Sequence, residues 1–266
     1  MDINFEKRKI QIKCIAEACI QQGLTSDSED YDFRTFEVTL LNLRDLIDAC
    51  MEDSVGFYYN ALLSFLEGVC QLSDRQYSWG IVKLYYTVYY CARAQLGFNK
   101  YVVIRKQNEL YDLHLLSGEK PHYNKSRNDH NLVIELYYKK FPTNNVFSNN
   151  VEDQRFTNYM MNLREITNYK LQAMKDPLRL EIFETLNESQ KAGKSISAFL
   201  IDCLKDMSLY CFNSKYAYLV TTYKMLLDTA NLYKTRGYRM STIQSKYLRK
   251  LLQKSRMTAY ETDLIG

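Results

Sequence analysis

The chain has 266 residues and a formal net charge of +4, with nine glycines and three prolines. This length suits one large domain or two small ones, and so few turn-forming residues favour long helices over a sheet. The sequence contains no signal-peptide pattern and no apolar run of the roughly 18 residues that a membrane span requires. Its seven cysteines form no Cys-x-x-Cys pair, which predicts reduced thiols in a cytoplasmic protein and no disulfide framework.

Apolar side chains recur at intervals of three and four residues along most of the chain, which is the pattern of amphipathic helices. The fold is therefore predicted to be all-α. A less regular stretch at 117–150 carries two of the three prolines and is predicted to be a long insertion with one short helix. The predicted helices lie at residues 3–22, 36–51, 54–72, 79–96, 109–116, 132–138, 156–174, 178–188, 196–233 (two helices that meet near Asn213) and 240–256.

Residues 79–96 form the predicted centre of the fold. When they are plotted at 100° per residue, apolar side chains cover almost the whole circumference, and a helix of this kind is buried by neighbours on several sides. We expect Tyr86 to be buried within it, so that Tyr86→Ala is strongly destabilising. Arg93 falls on the packed side, between Tyr86 and Tyr89, and we expect it to have a carboxylate partner.

Three motifs in the middle of the chain resemble those of the HEPN superfamily. They are an aromatic and aliphatic stripe at 54–72, the pattern SW-x3-KLYY-x2-YY-x-ARA-x-L at 78–96, and LREITNY at 163–169. Tyr-Tyr followed by Ala-Arg-Ala resembles the family's second core helix, and Arg-x-x-x-Asn-Tyr resembles a frequent form of its last one. The resemblance covers roughly residues 53–174. It implies a bundle of the type common in bacterial toxin–antitoxin and antiphage systems.

The chemistry that this resemblance implies centres on Arg164. In catalytic members of the superfamily, a histidine follows such an arginine after about four to six residues, and two copies meet across a dimer to cleave RNA without metal. Here Tyr169 stands five positions after Arg164, and no histidine follows it. A phenol with a pKa of about 10 is a poor base at neutral pH. Arg164 and Asn168, which share a helix face, therefore have three candidate roles: bridging to a neighbouring helix or a dimer mate, phosphate contact, and catalysis.

The three histidines, His114, His122 and His130, fall in or beside the insertion. Their spacing matches no common zinc-ligand pattern. One interpretation is a surface loop with scattered histidines. The other is a transferred active site made by Arg127 and His130, which lie closer together than the arginine and histidine of the family motif.

Charge is spread unevenly between the two ends of the chain. Residues 27–53 hold nine acids and two arginines, whereas residues 215–256 hold ten lysines and arginines and a single acid. Such asymmetry points to an interaction. The basic end is explained by a solvated helix face, by docking of nucleic acid or another anionic partner, or by membrane-surface binding, for which its apolar face is small. The candidate binding residues are Arg236, Arg239, Lys246, Arg249, Lys250 and Lys254.

These observations predict a HEPN-like up-and-down helical bundle with additional N- and C-terminal helices. The predicted divisions are an N-terminal helical extension at 1–52, the bundle at 53–176 and a C-terminal helical region at 177–266. We favour a non-catalytic or degenerate subunit of a bacterial defence or toxin–antitoxin-type assembly, because the histidine is missing from its usual place. The alternative is a metal-independent endoribonuclease whose site combines Arg164 with the 114–130 segment. The expected partner is a protein encoded nearby or a second copy of the chain, with RNA or DNA besides. No membrane, cofactor or metal is expected.

Overall fold

The computed structural model describes residues 8–24, 31–125, 128–142, 150–170, 176 and 181–265, and of residue 169 the backbone alone. These residues are mostly helical, as predicted, and two small sheets accompany the helices. The α-helices are α1 (Lys9–Gln21), α2 (Leu43–Ser73), α3 (Tyr77–Phe98), α4 (Asp129–Lys140), α5 (Phe156–Glu165), α6 (Glu184–Lys191), α7 (Ile196–Leu204), α8 (Met207–Tyr210), α9 (Ser214–Thr235), α10 (Thr242–Lys254) and α11 (Glu261–Leu264). Other helical turns are a π-helix at Ile166–Lys170 and 3-10 helices at Phe33–Thr35, Glu181–Phe183 and Thr258–Tyr260.

An antiparallel three-stranded sheet replaces the helix that was predicted at 109–116. Its strands are β1 (Tyr101–Lys106), β2 (Glu109–His114) and β3 (His122–Asn124), paired in the order β1-β2-β3. The buried residues Tyr111, Leu113 and Leu115 alternate with more exposed neighbours, which is the period of a strand and not of a helix. The prediction of a purely α fold was therefore wrong at this point. A two-stranded ribbon, β4 (Asn150–Val151) with β5 (Gln154–Arg155), leads into α5.

Helix α3 lies at the centre of the bundle, and this prediction is confirmed. It packs against α2 over most of its length, and also against α4, α5, α9 and β1. Most of its side chains are buried, including Tyr85 and Tyr89. Tyr86 is only half-buried, because it faces the edge of the bundle and not its centre. The loss of folding stability expected for Tyr86→Ala is therefore smaller, since folding buries less apolar area at this position.

Helix α2 is one continuous helix of 31 residues, so the predicted break between two helices at residues 51–54 was wrong. The division predicted at residue 53 falls inside it. Asp53 immediately precedes the helix that was predicted at 54–72. Its carboxylate instead accepts hydrogen bonds from the backbone N–H groups of Lys9 and Ile10, at 2.9 and 3.0 Å. The residue therefore caps the first turn of α1, a helix end elsewhere in the sequence.

The C-terminal helices share the core of the bundle. Helix α9 crosses α3, and the buried amide of Gln95 on α3 donates to Thr229 on α9 at 2.8 Å and accepts from the Tyr137 hydroxyl at 2.7 Å. One hydrophobic cluster extends from Met51 to Ile265. Asn213 caps α9 through its side chain, which confirms the predicted helix break there. The described residues between 181 and 265 therefore contribute to the same hydrophobic cluster as α2 and α3.

The cysteines and the helix lengths bear on two further expectations. All seven cysteines lie among the described residues, where each is buried and none forms a disulfide. This agrees with the prediction that the chain carries no disulfide framework. No helix within the described ranges is long and apolar enough to cross a bilayer.

Two glycines test how closely α2 and α3 approach each other. A Cβ added at Gly97 on α3 would lie 2.0 Å from the Ser54 hydroxyl on α2, whereas one added at Gly56 would meet nothing within 4 Å. We expect Gly97→Ala to lower the free energy of unfolding by about 1–3 kcal/mol through overpacking. Gly56→Ala should raise it by up to about 1 kcal/mol, because alanine favours a helix. Urea unfolding of both variants measures the difference, and equal stabilities would contradict the close approach.

Candidate functional site

A groove between α4 and α5 runs over the surface of α3. Helix α4 begins at a side-chain cap, since the Asn128 carboxamide accepts from the His130 backbone N–H at 2.9 Å. Helix α5 buries an apolar face against α3 and leaves Met161 and Arg164 half-exposed. Tyr85 of α3 lies between the two helices and is almost fully buried. These three helices bring both His130 and Arg164 into contact with Tyr85.

His130 is held by two tyrosines of α3. Its Nδ1 atom shares a hydrogen bond with the Tyr85 hydroxyl at 2.9 Å, and its ring stacks on the Tyr89 ring with centroids 3.9 Å apart. Burial lowers the pKa of His130, and the positive charges of Arg164 and Arg93 lower it further, against the opposing effect of Asp129. The imidazole is therefore neutral at pH 7, and the Tyr85 bond fixes its orientation.

Arg164 lies in the last turn of α5 and also contacts Tyr85. Its guanidinium carbon is 5.1 Å from the centroid of the Tyr85 ring, within the range of a cation–π contact. Burial raises the pKa of Tyr85 to about 12, although the charge of Arg164 opposes the rise. Tyr85 therefore keeps its proton and remains a neutral partner for both side chains.

A pocket of about 330 Å³ opens at this point. His130 and Arg164 both line it, so a cation and a neutral imidazole face one space. Carboxamides and a carboxylate complete the polar wall. Its lining residues are Tyr85, Asn128, His130, Asn131, Met161, Arg164 and Glu165. Such a set can bind an anion and can accept or donate a proton beside it.

Charged side chains cluster around Asp129, the residue before His130. The Asp129 carboxylate is 3.6 Å from the Arg93 guanidinium and accepts from the Tyr89 hydroxyl at 3.3 Å, and Arg105 approaches it to 4.0 Å. The Arg93 side chain is only 9% exposed and also lies 4.5 Å from the centroid of the Phe57 ring. The carboxylate partner that the sequence predicted for Arg93 is therefore Asp129.

The remaining candidate site residues are placed elsewhere or are not described. Asn168 lies in the π-helix after α5 and does not belong to the described lining of the pocket. The side chain of Tyr169 and the whole of Arg127 fall outside the described residues. His122 is exposed beside Asp112, and His114 stacks on Tyr101. Of the three histidines, His130 is the one that enters the groove.

The basic C-terminal residues lie on the surface. Helix α10 buries Leu248, Leu251 and Leu252 within the chain, so this apolar face is covered by the bundle, whereas Ile243 and Tyr247 of the same helix are exposed. Among the six candidate binding residues, Arg249 forms an ion pair with Glu261 at 2.8 Å. All six candidate binding residues are exposed: Arg236, Arg239, Lys246, Arg249, Lys250 and Lys254.

The pH dependence of stability tests the environment of His130. Because its pKa in the folded chain is below the unfolded value of about 6.5, the unfolded chain binds more protons through this range. The free energy of unfolding should therefore fall as the pH drops below about 6.5 and be steady above it. Burial also lowers the pKa of His114, so both histidines contribute. Urea unfolding between pH 5 and 7.5 should show a weaker pH dependence in His130→Gln than in the wild type, with His114→Gln as the companion measurement. An unchanged slope in His130→Gln would contradict the assigned environment.

Comparison of the chain with family models, curated protein sequences and solved structures gave no match.

Proposed function

We propose that the chain is a metal-independent endoribonuclease whose active site is the pocket between α4 and α5. The observation that carries the proposal is the position of Tyr85, which contacts both His130 and Arg164 at the wall of one pocket. The HEPN-like class of the bundle is part of the same proposal. In this arrangement His130 supplies the imidazole that the resemblance expects near Arg164 and that position 169 lacks.

The proposed reaction uses the ribose as its own nucleophile. His130 removes the proton of a 2′-hydroxyl, the 2′-oxygen attacks the adjacent phosphorus, and the bond from phosphorus to the 5′-oxygen breaks. The leaving 5′-oxygen takes a proton from the imidazolium or from water, so the products end in a 2′,3′-cyclic phosphate and a 5′-hydroxyl. Arg164 stabilises the negative charge that develops on the phosphoryl oxygens. A neutral imidazole at pH 7 is suited to the first step.

A second candidate is the non-catalytic subunit of a bacterial defence or toxin–antitoxin-type assembly. It is favoured by the contacts of His130, because a ring that stacks on Tyr89 and bonds to Tyr85 also describes a histidine used for packing. In that case the pocket binds an anionic group of RNA or DNA, or of a protein encoded nearby, without cleaving it. Cleavage assays separate the two candidates.

Substrates that lack one 2′-hydroxyl test the proposed reaction. We expect the purified chain to cut single-stranded RNA in the presence of EDTA. A single 2′-deoxy substitution on the 5′ side of a cut should abolish that cut and leave the others. Cleavage that persists at the deoxy position would rule out the 2′-oxygen as nucleophile. Binding without any cleavage would favour the second candidate.

We propose that the exposed basic residues of α10 also bind the polyanion, at a surface outside the pocket. If they do, changing Arg249, Lys250 and Lys254 to glutamine should flatten the slope of log K against log salt by up to about three units. The competing explanation is that the acidic segment covers this face, and Asp48 does accept a hydrogen bond from Tyr238 nearby. In that case nucleic-acid binding would be undetectable in both the wild type and the triple variant, and the variant would have lower stability or dimerisation. Filter binding at two salt concentrations, beside sedimentation, gives the result.

A further inference from the structure

A second pocket, of about 190 Å³, continues the groove between α4 and α5. It shares Tyr85, His130, Asn131 and Met161 with the pocket that holds Arg164. We infer that this second pocket is a nucleobase subsite, and that Glu135 makes it prefer bases with an amino group over uracil. The inference rests on the proposed function, because it assigns the base next to the phosphate that Arg164 would bind.

The walls of this pocket suit the faces of a flat ring. Ile134 from α4 and Met161 from α5 are half-buried and stand on opposite sides of the groove. Met161 carries a polarisable thioether, which makes favourable contacts with aromatic rings. The buried Thr157 donates its hydroxyl proton to Tyr138 at 3.0 Å, so this proton is not available to a base. Recognition of a base edge therefore falls to the polar side chains at the mouth.

Three polar side chains surround that mouth. Asn131 and Glu135 lie four residues apart on α4 and share a helix face, and Asn158 projects from α5. All three are exposed. Across the described part of the chain their side chains have no hydrogen bond or ion pair to other residues, so a ligand would displace only water. The nearest polar groups are thus available to a base.

Glu135 gives the subsite its selectivity. An ionised carboxylate accepts hydrogen bonds and donates none. It therefore pairs with the amino groups of cytosine, adenine and guanine, and carboxylates are known acceptors for cytosine N4. Uracil presents carbonyl oxygens at the corresponding positions and offers the carboxylate only its N3–H group, which is flanked on both sides by those oxygens. The two asparagines donate and accept equally well, so they add contacts without excluding uracil.

The occupant must be an unpaired base. A base within a helix is stacked on its neighbours and presents only its edge, whereas a base in single-stranded RNA can be turned out into a pocket. The two pockets share His130 and Asn131, so a base in one is followed directly by a phosphate in the other. The preferred base is therefore adjacent to the cut.

Binding of short 2′-O-methyl oligonucleotides tests this subsite without interference from cleavage, since the 2′-oxygen is blocked. Fluorescence anisotropy should show the full chain binding hexamers of adenine and of cytosine about tenfold more tightly than a hexamer of uracil, the scale of one hydrogen bond to a charged group. In Glu135→Gln that ratio should shrink and uracil binding should improve, because glutamine can donate to a carbonyl. Glu181→Gln changes an exposed glutamate that does not line either pocket, and it should keep the wild-type ratio.

The outcomes separate this inference from the proposed function. Equal binding of all three hexamers by the wild type, or a preference that Glu135→Gln leaves unchanged, would overturn the base subsite while the phosphate pocket stands. A chain that binds none of the hexamers would overturn both. A lower affinity for all hexamers in Glu135→Gln, with the ratio preserved, would show that Glu135 acts only on the shape of the groove and would also overturn the selectivity.

Discussion

Replacing Arg164 by alanine is expected to slow cleavage of single-stranded RNA in EDTA by about 10²–10³-fold. The guanidinium would meet the phosphoryl oxygens where charge develops, and alanine cannot replace it. Arg164→Lys should recover part of the rate, since it restores the charge without the planar fork. The measurement is a single-turnover rate at saturating protein, which separates chemistry from binding.

Arg155→Ala is the matched control for this variant. Arg155 immediately precedes α5, is exposed and lies over the Tyr138 ring, so its loss removes a cation of the same kind outside the pocket. The Arg155→Ala variant should cleave at the wild-type rate.

The His130→Ala variant should cleave about 10²–10⁴-fold more slowly than the wild type. If cleavage instead survives in His130→Ala and is lost in Arg164→Ala, the histidine has no part in the reaction, and the site lies around Arg164 and Tyr169.

Asp129→Ala is expected to lower the free energy of unfolding by about 3 kcal/mol. Removing one partner of a buried ion pair typically costs about 3–5 kcal/mol, and the lower end applies because Asp129 is partly solvated. The variant leaves Arg93 buried against Phe57 without its carboxylate. Asp129→Asn should lose less, because the carboxamide still accepts from the Tyr89 hydroxyl. Equilibrium urea unfolding gives these values.

A double variant separates the charge effect from the loss of packing. In Arg93→Met with Asp129→Ala, the buried charge is gone and methionine fills much of its volume, so stability should exceed that of Asp129→Ala alone. Asp202→Ala is the surface control. Asp202 pairs with Lys194 and Lys205 in the open, and its removal should change stability little. A loss in Asp129→Ala no larger than in the control would contradict the buried pair.

The parts of the fold that sequence reasoning predicted correctly are those where burial follows one helix. The apolar circumference of residues 79–96 predicted α3, because a helix surrounded by neighbours needs apolar side chains on every face. Arg93 inside that pattern predicted a partner on charge grounds alone. The helix break predicted near Asn213 lies where the Asn213 side chain caps α9.

The features that were missed depend on contacts between distant segments. The alternation of Tyr111, Leu113 and Leu115 was available in the sequence, but a short apolar run fits a helix or a strand equally well. Asp53 looked like the start of a helix because its carboxylate is indeed a cap, although for α1. Nothing local brings His130 to Arg164. Their meeting on Tyr85 requires α4 and α5 to pack on the same face of α3, which no spacing within either helix encodes.

The most direct test of the proposed active site is an analysis of RNA products in EDTA, with the wild type beside the double variant His130→Ala and Arg164→Ala. Both proteins are purified identically, and mass spectrometry identifies the ends of the fragments. The wild type should cut single-stranded RNA and leave 2′,3′-cyclic phosphate and 5′-hydroxyl ends. The double variant should leave the RNA intact, and its circular dichroism spectrum should show that it is folded. Equal cleavage by both proteins, or no cleavage by the wild type, would contradict the proposed active site.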